Sequence, residues 1–298
     1  MQLDPYDEQT PFLGTQRRFY GFISGIGAGK TFVGIIRALL NAQEWNPGSL
    51  GAIIAPTGTN IRDIILPEMR EMGVFDVEGV EYRGKSAEEP GIHFANGSRI
   101  ILEGADNRRK IERLRGLNLA WWWMDEAAII PEQAWDILTG RLRQGQYRNG
   151  FVTTTPKGQN WVYDRFVDDV AGEREAHGDA TVFADAETLS LLEVPTHANP
   201  HNPADYRESV ESEYEGSFYR QEVLGEFTKF DGLVYPWFRE EDHVIAGDEL
   251  PTRYDRVVYG VDWGFSNPSV ALAVAYYDGA PVVLDEIYEE RLTVEDLA

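Results

Sequence analysis

The sequence contains no cysteine, which excludes disulfides and thiolate metal sites and leaves the redox compartment open. Basic charge is scarce: 27 Lys and Arg stand against 50 Asp and Glu, a formal net charge of −23. Lysine is rarer still, confined to Lys30, Lys85, Lys110, Lys157 and Lys229. No apolar run approaches the ~20 residues that span a bilayer. The opening MQLDPYDEQT has neither the basic nor the apolar region of a signal peptide. The chain therefore reads as soluble and intracellular, with no membrane part. Charge of this sign argues against nucleic acid as a partner, so any such role has to rest on motifs. Two readings of the acidity stay open: an ordinary acidic protein, or a surface adapted to high salt, where screening removes self-repulsion. What is present is ample apolar material. With 298 residues, 43% of them hydrophobic, the chain can bury the core of one large domain or two ordinary ones.

Short apolar runs alternate with amphipathic stretches. RFYGFIS, LGAIIAP, LAWWWMDE, GFVTTTP and ATVFAD have the composition of strands; KTFVGIIRALLNAQ, NIRDIILPEMREM, PEQAWDILTGRLR and GQNWVYDRFVDDV have helical periodicity. Such alternation predicts an α/β fold, a parallel sheet with helices on both faces. GIHFANGSRIILEG predicts a hairpin turning at Asn96-Gly97, on the edge of that sheet. Residues 227–255 are turn-rich and read as a linker after a first domain at 1–226 that ends in a polar helical part. RVVYGVDWG, SVALAVAYYDG and APVVLDEIYEE then begin a second domain at 256–298, with turns expected at Asn267-Pro268 and Asp278-Gly279.

Two stretches carry chemistry. In FYGFISGIGAGKTFVGII, residues Ser24, Gly25, Ile26, Gly27, Ala28, Gly29, Lys30 and Thr31 match a phosphate-binding loop between strand and helix, with Ser24 in place of the first glycine. Glycines let backbone amides close around phosphate oxygens, and the helix N-terminus adds partial positive charge. Lys30 then reaches the β and γ phosphates and the Thr31 hydroxyl ligates Mg²⁺. In LAWWWMDE, the tryptophans predict a strand covered on both faces, filling space between sheet and helices; an exposed stacking platform for bases is the alternative. Asp125 and Glu126 follow at the strand's carboxyl end, where α/β sheets place ligands. Asp125 is expected to hold Mg²⁺ through water and Glu126 to polarise the water attacking the γ phosphate. The glutamate, with the strand-like GAIIAP between the two motifs, indicates the additional-strand class of P-loop ATPases. Thr153, Thr154 and Thr155 end the next strand and either sense the γ phosphate or simply reflect β-propensity.

SGIGAGKT, WWWMDEA and TTTPKG, in this order, resemble the motor motifs of the large terminase subunit of tailed viruses. THANPHNPADYRESVESEYEGSFYRQEVLGEFTKFDGLVYPWF is similar to the stretch leading out of that motor, and YGVDWGFSNPSVALAV to the opening strands of its RNase H-like nuclease. The resemblance implies a RecA-like ATPase that uses ATP and Mg²⁺ to drive double-stranded DNA into a procapsid. It further implies a portal protein and small terminase subunit as partners, assembly into a homo-oligomeric ring, and action in the cytoplasm of the infected host cell, at the portal, outside the mature virion. With the high-salt reading, a haloarchaeal virus is the expected source. The resemblance gives Gln16 a contact with adenine, Thr155 a place in the coupling motif, and Asp262 the first metal position of a nuclease that uses two Mg²⁺ or Mn²⁺ ions.

Two departures from the family's pattern matter. Ile26 sits where many members carry an arginine, so the transition-state cation is expected from Arg113 or Arg115, supplied by a neighbouring subunit. The later nuclease carboxylates are not reached; Asp285 and Glu286 are nearby acids but poor substitutes, and nuclease activity is expected to be incomplete. Arg108, Arg109, Arg141 and Arg143 are the expected phosphate contacts on a DNA-facing side. The rival readings are another DNA motor such as a helicase, and an ATP-binding scaffold without turnover.

Overall fold

The computed structural model describes residues 3–168, 173–184, 189–228, 243–245, 247, 250–262 and 269–289. The chain divides into two compact units, 1–232 and 233–298. Most of the expected linker at 227–255 lies outside the described residues, as does the turn at Asn267-Pro268.

The first unit is built on a ten-stranded sheet. Its centre consists of β5 (Arg99–Gly104), β2 (Leu50–Ala55), β6 (Trp121–Asp125), β7 (Asn149–Thr154), β1 (Phe19–Ser24) and β10 (Leu189–Val194), each parallel to its neighbour. Both flanks are antiparallel. β4 (Gly91–Phe94) pairs with β5, and β3 (Val80–Arg83) with β4. On the other side β9 (Ala180–Ala184) pairs with β10, and β8 (Glu173–His177) with β9. The strand order is β3-β4-β5-β2-β6-β7-β1-β10-β9-β8.

The expected hairpin at Asn96-Gly97 forms, with Gly97 at φ 84°, the left-handed region its turn requires. It is more than an edge ornament, because β5 is also the parallel neighbour of β2. Residues 180–184 of the ATVFAD run are β9, antiparallel rather than part of the parallel core. The parallel neighbour of β1 on that side is β10, a strand without a clear sequence signature. Several expected helices are shorter or looser than their patterns: PEQAWDILTGRLR is helical over Glu132–Thr139, and NIRDIILPEMREM contains a π-helical turn, Ile61–Ile65, before Leu66–Glu71.

Trp121, Trp122 and Trp123 are each 0% exposed, which removes the stacking-platform alternative. Side chains alternate along a strand, so Trp121 and Trp123 join the apolar core on one face of the sheet and Trp122 the core on the other. Each lies against a glycine: Gly51 against Trp121, Gly150 against Trp122 and Gly34 against Trp123, with no room for a Cβ. The three glycines let indoles fit where layers of sheet and helix would otherwise meet. Arg37, on the helix Lys30–Leu40, is also fully buried. Its guanidinium donates to Tyr20 Oη and to the carbonyls of Leu13 and Thr15, fastening the N-terminal helix Thr10–Gly14 to the core.

The second unit shows an antiparallel meander of β11 (Arg256–Asp262), β12 (Ser269–Tyr277) and β13 (Ala280–Glu289). Asp278 (φ 49°) and Gly279 (φ 79°) form the expected tight turn between β12 and β13. Among the described residues, no helix is long and apolar enough to cross a membrane.

Candidate active site

The phosphate loop leaves β1 at Ser24 and enters the helix Lys30–Leu40 through Gly29, whose φ of 78° is left-handed. Its carbonyl oxygens are taken by side chains from distant segments. Thr196 Oγ1 donates to Ile26 O (2.7 Å), Asn199 Nδ2 and Asn202 Nδ2 to Gly27 O (2.7 and 3.1 Å), and Tyr6 Oη to Ala28 O (2.7 Å). Within a peptide unit N–H and C=O point in opposite directions. Holding these carbonyls outward therefore turns the N–H groups of Gly27, Ala28 and Gly29 toward the loop's interior, the lining an anion needs. The first-turn N–H groups of the helix add donors with no intrahelical partner. Lys30 Nζ donates to Gly25 O at 3.0 Å. Burial pushes its ammonium down, against the attraction of Glu126, Asp125 and Glu222.

β7 stands between the strand that carries the loop and the strand that carries the carboxylates. This is the additional strand in space; GAIIAP, as β2, lies on the far side of β6. At the carboxyl end of β6, Asp125 is 4% exposed. Thr153 Oγ1 donates to its Oδ1 at 2.6 Å and accepts from Trp123 Nε1 at 2.8 Å. The third tryptophan thus does more than fill space: its indole orients the hydroxyl that orients the carboxylate. Burial first, then the adjacent Glu126, pushes Asp125 up to about 7, with Thr153 and Lys30 pulling the other way. A carboxylate so short of solvent fits a bound cation, which would return it to the ionised form. The donor set available, the Thr31 hydroxyl and Asp125, is the oxygen pair Mg²⁺ takes beside substrate phosphates. Among the described residues no cluster of three or more His, Asp or Glu forms a metal site by itself.

Glu126 has φ 51° and ψ 48°, left-handed backbone in a residue that is not glycine. Such strain persists where surroundings enforce it, often at reactive positions. Its Oε2 lies 3.5 Å from both Thr154 Oγ1 and the Thr155 N–H, so the end of β7 and Glu126 share one corner.

Not every expected residue gathers here. Gln16 is exposed and precedes β1, whereas the loop follows it; a six-residue strand at roughly 3.3 Å per residue separates the two. Gln16 therefore does not reach the nucleotide end of the sheet. Gln9 does. It is 1% exposed, its Nε2 is 3.4 Å from Ala28 O, and its Oε1 is buried without a partner. It lines a cavity of about 370 Å³ beside Gly29 and Phe32, of the size that holds a base and ribose. An orphaned acceptor at this position suits the exocyclic amine of adenine. Arg115 lies before β6, at the sheet's amino end, paired with Glu112 at 2.6 Å, so it cannot serve its own subunit's carboxylates. Arg108 and Arg109 follow β5 at the carboxylate end, while Arg141 and Arg143 precede β7 at the other. These four form no single DNA-facing patch. Asp262 ends β11, exposed, opposite Val270.

A mostly parallel, mixed α/β sheet with a phosphate loop and an acidic strand end one strand apart defines a P-loop ATPase fold of the additional-strand, RecA-like class. Residues 22–250 match the family described as terminase large subunit, T4likevirus-type, N-terminal. The chain belongs to that family. It is 24% identical over 310 residues to the PBSX phage terminase large subunit of Bacillus subtilis (strain 168), covering 98% of this chain and 69% of that protein. It is 24% identical over 284 residues to the terminase large subunit of Escherichia phage T5, covering 91% of this chain and 59% of that protein. Among solved structures, the large terminase of a thermophilic bacteriophage in complex with ADP is similar in fold, with a TM-score of 0.62 at 20% identity, over 97% of this chain and 71% of that one.

Proposed function

We propose that this chain is the ATP-hydrolysing motor of a terminase large subunit, driving double-stranded DNA into a viral procapsid. The observation that supports it most is the placement of the phosphate loop and the Asp125-Glu126 corner on either side of β7. Lys30 and the loop amides bind the phosphates, and Gln9 receives the adenine amine. Thr31 and Asp125 would hold Mg²⁺, which would supply charge neutralisation at the phosphates. Glu126 orients the attacking water and accepts its proton. Thr153 to Thr155 sit against both carboxylates and are the means by which γ-phosphate loss reaches the DNA-bearing parts. Arg115, remote from its own site, acts as the transition-state cation of a neighbouring subunit in a homo-oligomeric ring. Portal protein and small terminase subunit are the remaining partners, met in the host cytoplasm at the portal. Asp262 is a metal ligand of a nuclease whose other carboxylates are not gathered around it among the described residues.

The test is ATP hydrolysis by the purified chain with and without duplex DNA. Glu126→Gln is expected to retain nucleotide affinity and lose hydrolysis by about 10²-fold or more; Lys30→Ala is expected to lose binding itself. Near-normal turnover in Glu126→Gln would overturn the assignment and favour an ATP-binding scaffold, while strand separation during hydrolysis would favour a helicase.

A further inference from the structure

One ion pair in the first unit has no part in the roles assigned above. Lys157, in the loop after β7, meets Glu222, at the C-terminal end of the helix Gly216–Glu222, with Nζ and Oε1 2.7 Å apart. The two are unequal in exposure: the lysine side chain is 44% exposed and the glutamate 9%. Gln221 Nε2 donates to the same carboxylate oxygen at 2.8 Å, and Gly158 N–H donates to Gln221 Oε1 at 3.1 Å. The loop after β7 is thus fastened to that helix at two adjacent points.

The helix end is in turn fastened to the phosphate loop. Glu222 O accepts from the Ile26 N–H at 2.7 Å, and Val223 O from the Thr196 N–H at 2.8 Å. Gly225 lies so close to Ser24 that an added Cβ would stand 2.9 Å from Ser24 Cα. The charges converge as well as the backbone. Glu126, Asp125 and Glu222 attract the Lys30 ammonium and Lys157 repels it. The site therefore holds three carboxylates and two ammonium groups. Remove Lys157 and the balance shifts by one unit against a nucleotide's phosphates, with a nearly dry carboxylate left to seek the remaining cation, Lys30.

Resting on the ATPase reading of this site, we propose that Lys157 is a positioning residue: by holding Glu222 it keeps that carboxylate off Lys30 and leaves Lys30 free for nucleotide phosphate. The same pair ties the loop that follows the threonines of β7 to the backbone of the phosphate loop, so a change at one is transmitted to the other through Glu222.

The experiment measures the dissociation constant of a fluorescent ADP analogue by anisotropy, with a thermal melt on each variant. Lys157→Ala should weaken binding roughly tenfold, the scale of one partly exposed charge near the phosphates. Lys157→Arg should stay near wild type. The decisive variant is Lys157→Ala/Glu222→Gln, which removes the stray carboxylate together with its partner and should return affinity to within about threefold of wild type. Unchanged binding in Lys157→Ala overturns the proposal. So does a double variant as weak as the single, which would mean that Lys157 touches the nucleotide itself or only supports the fold. A wild-type chain that binds no nucleotide overturns the ATPase reading, and this proposal with it; wild-type binding without rescue overturns this proposal alone.

Discussion

Gly34 stands inside the helix Lys30–Leu40, where replacing glycine by alanine ordinarily stabilises a protein by about 0.5–1 kcal/mol. The structure reverses that sign. A Cβ at Gly34 would stand 2.5 Å from Trp123 Cε2 and 2.9 Å from Cη2, whereas carbon atoms in contact sit at about 3.5–4.0 Å. The indole has nowhere to go: it is 0% exposed, stacked on Phe151 at 6.0 Å and 8°, and hydrogen-bonded to Thr153. Overpacking of this kind costs about 1–3 kcal/mol, here at the upper end because the displacement needed exceeds ~1 Å in a closed core. Loosening the indole hydrogen bond adds about 1 kcal/mol. Against the propensity gain, Gly34→Ala should be destabilising by about 3–3.5 kcal/mol, lowering Tm by roughly 6–14 °C for a unit of this size. Calorimetric or circular-dichroism melts read this directly. Trp123→Phe makes room, so Gly34→Ala/Trp123→Phe should be less destabilised than the sum of the singles by at least about 1 kcal/mol. At temperatures where Gly34→Ala is folded, hydrolysis should also fall, because Trp123 orients Thr153 and Thr153 orients Asp125. A Tm that rises in Gly34→Ala would refute the reasoning.

If the orphaned Oε1 of Gln9 accepts from the adenine amine as proposed, Gln9→Ala should narrow discrimination between ATP and GTP in competition binding by about tenfold or more; Gln16→Ala should change nothing. Asp125 is raised from 3.8 to about 7, so between those values the folded chain keeps a proton that the unfolded chain releases, and stability falls as pH rises through the window. Without added nucleotide or metal, Asp125→Asn should therefore gain on wild type from pH 4 to 7, approaching about 4 kcal/mol, and level off above; a difference independent of pH in denaturant titrations would contradict this. If the net charge of −23 reflects a high-salt surface, Tm should climb between about 0.1 and 3 M KCl as the Debye length contracts from ~10 Å to below ~3 Å. A flat Tm would remove the high-salt reading and leave the motor intact.

The loop and the acidic strand end were legible because their chemistry is contiguous. Binding phosphate needs glycines, Lys30 and Thr31 side by side, and a strand buried on both faces announces itself as LAWWWM. The adenine contact proposed for Gln9 is not legible in this way. Gln16 adjoins β1 in sequence, but adjacency to a strand's start places a residue at the end opposite the ligand. Gln9 arrives because Arg37 holds the carbonyls of Leu13 and Thr15 and Tyr6 caps Ala28 O, contacts that no local pattern encodes. β10 is hidden in the sequence for a related reason. LSLLEV carries a serine and a glutamate and is weakly apolar as a string; its place is fixed by its register against β1, Phe19 opposite Leu189 through Ser24 opposite Val194.

That register has a consequence for how the site is assembled. β10 delivers Val194 to the Gly25 N–H at 3.1 Å, and the chain then runs directly into Thr196, Asn199 and Asn202, the donors that hold the loop's carbonyls outward. The phosphate loop is thus closed from a segment about 170 residues away in sequence, and its affinity for nucleotide depends on that segment staying docked. A glycine-rich loop by itself is an entropic liability, since each glycine loses more freedom on ordering than any other residue. Here that cost is offset by neutral hydrogen bonds to its carbonyls, of which Asn199 and Asn202 share one acceptor. Neutral donors are the right chemistry for this position, because they fix the carbonyls without adding charge that would compete with Lys30 for the phosphates. The Lys157–Glu222 ion pair lies outside the loop's own carbonyls, and of its groups only the Glu222 main-chain carbonyl meets the loop, at the Ile26 N–H.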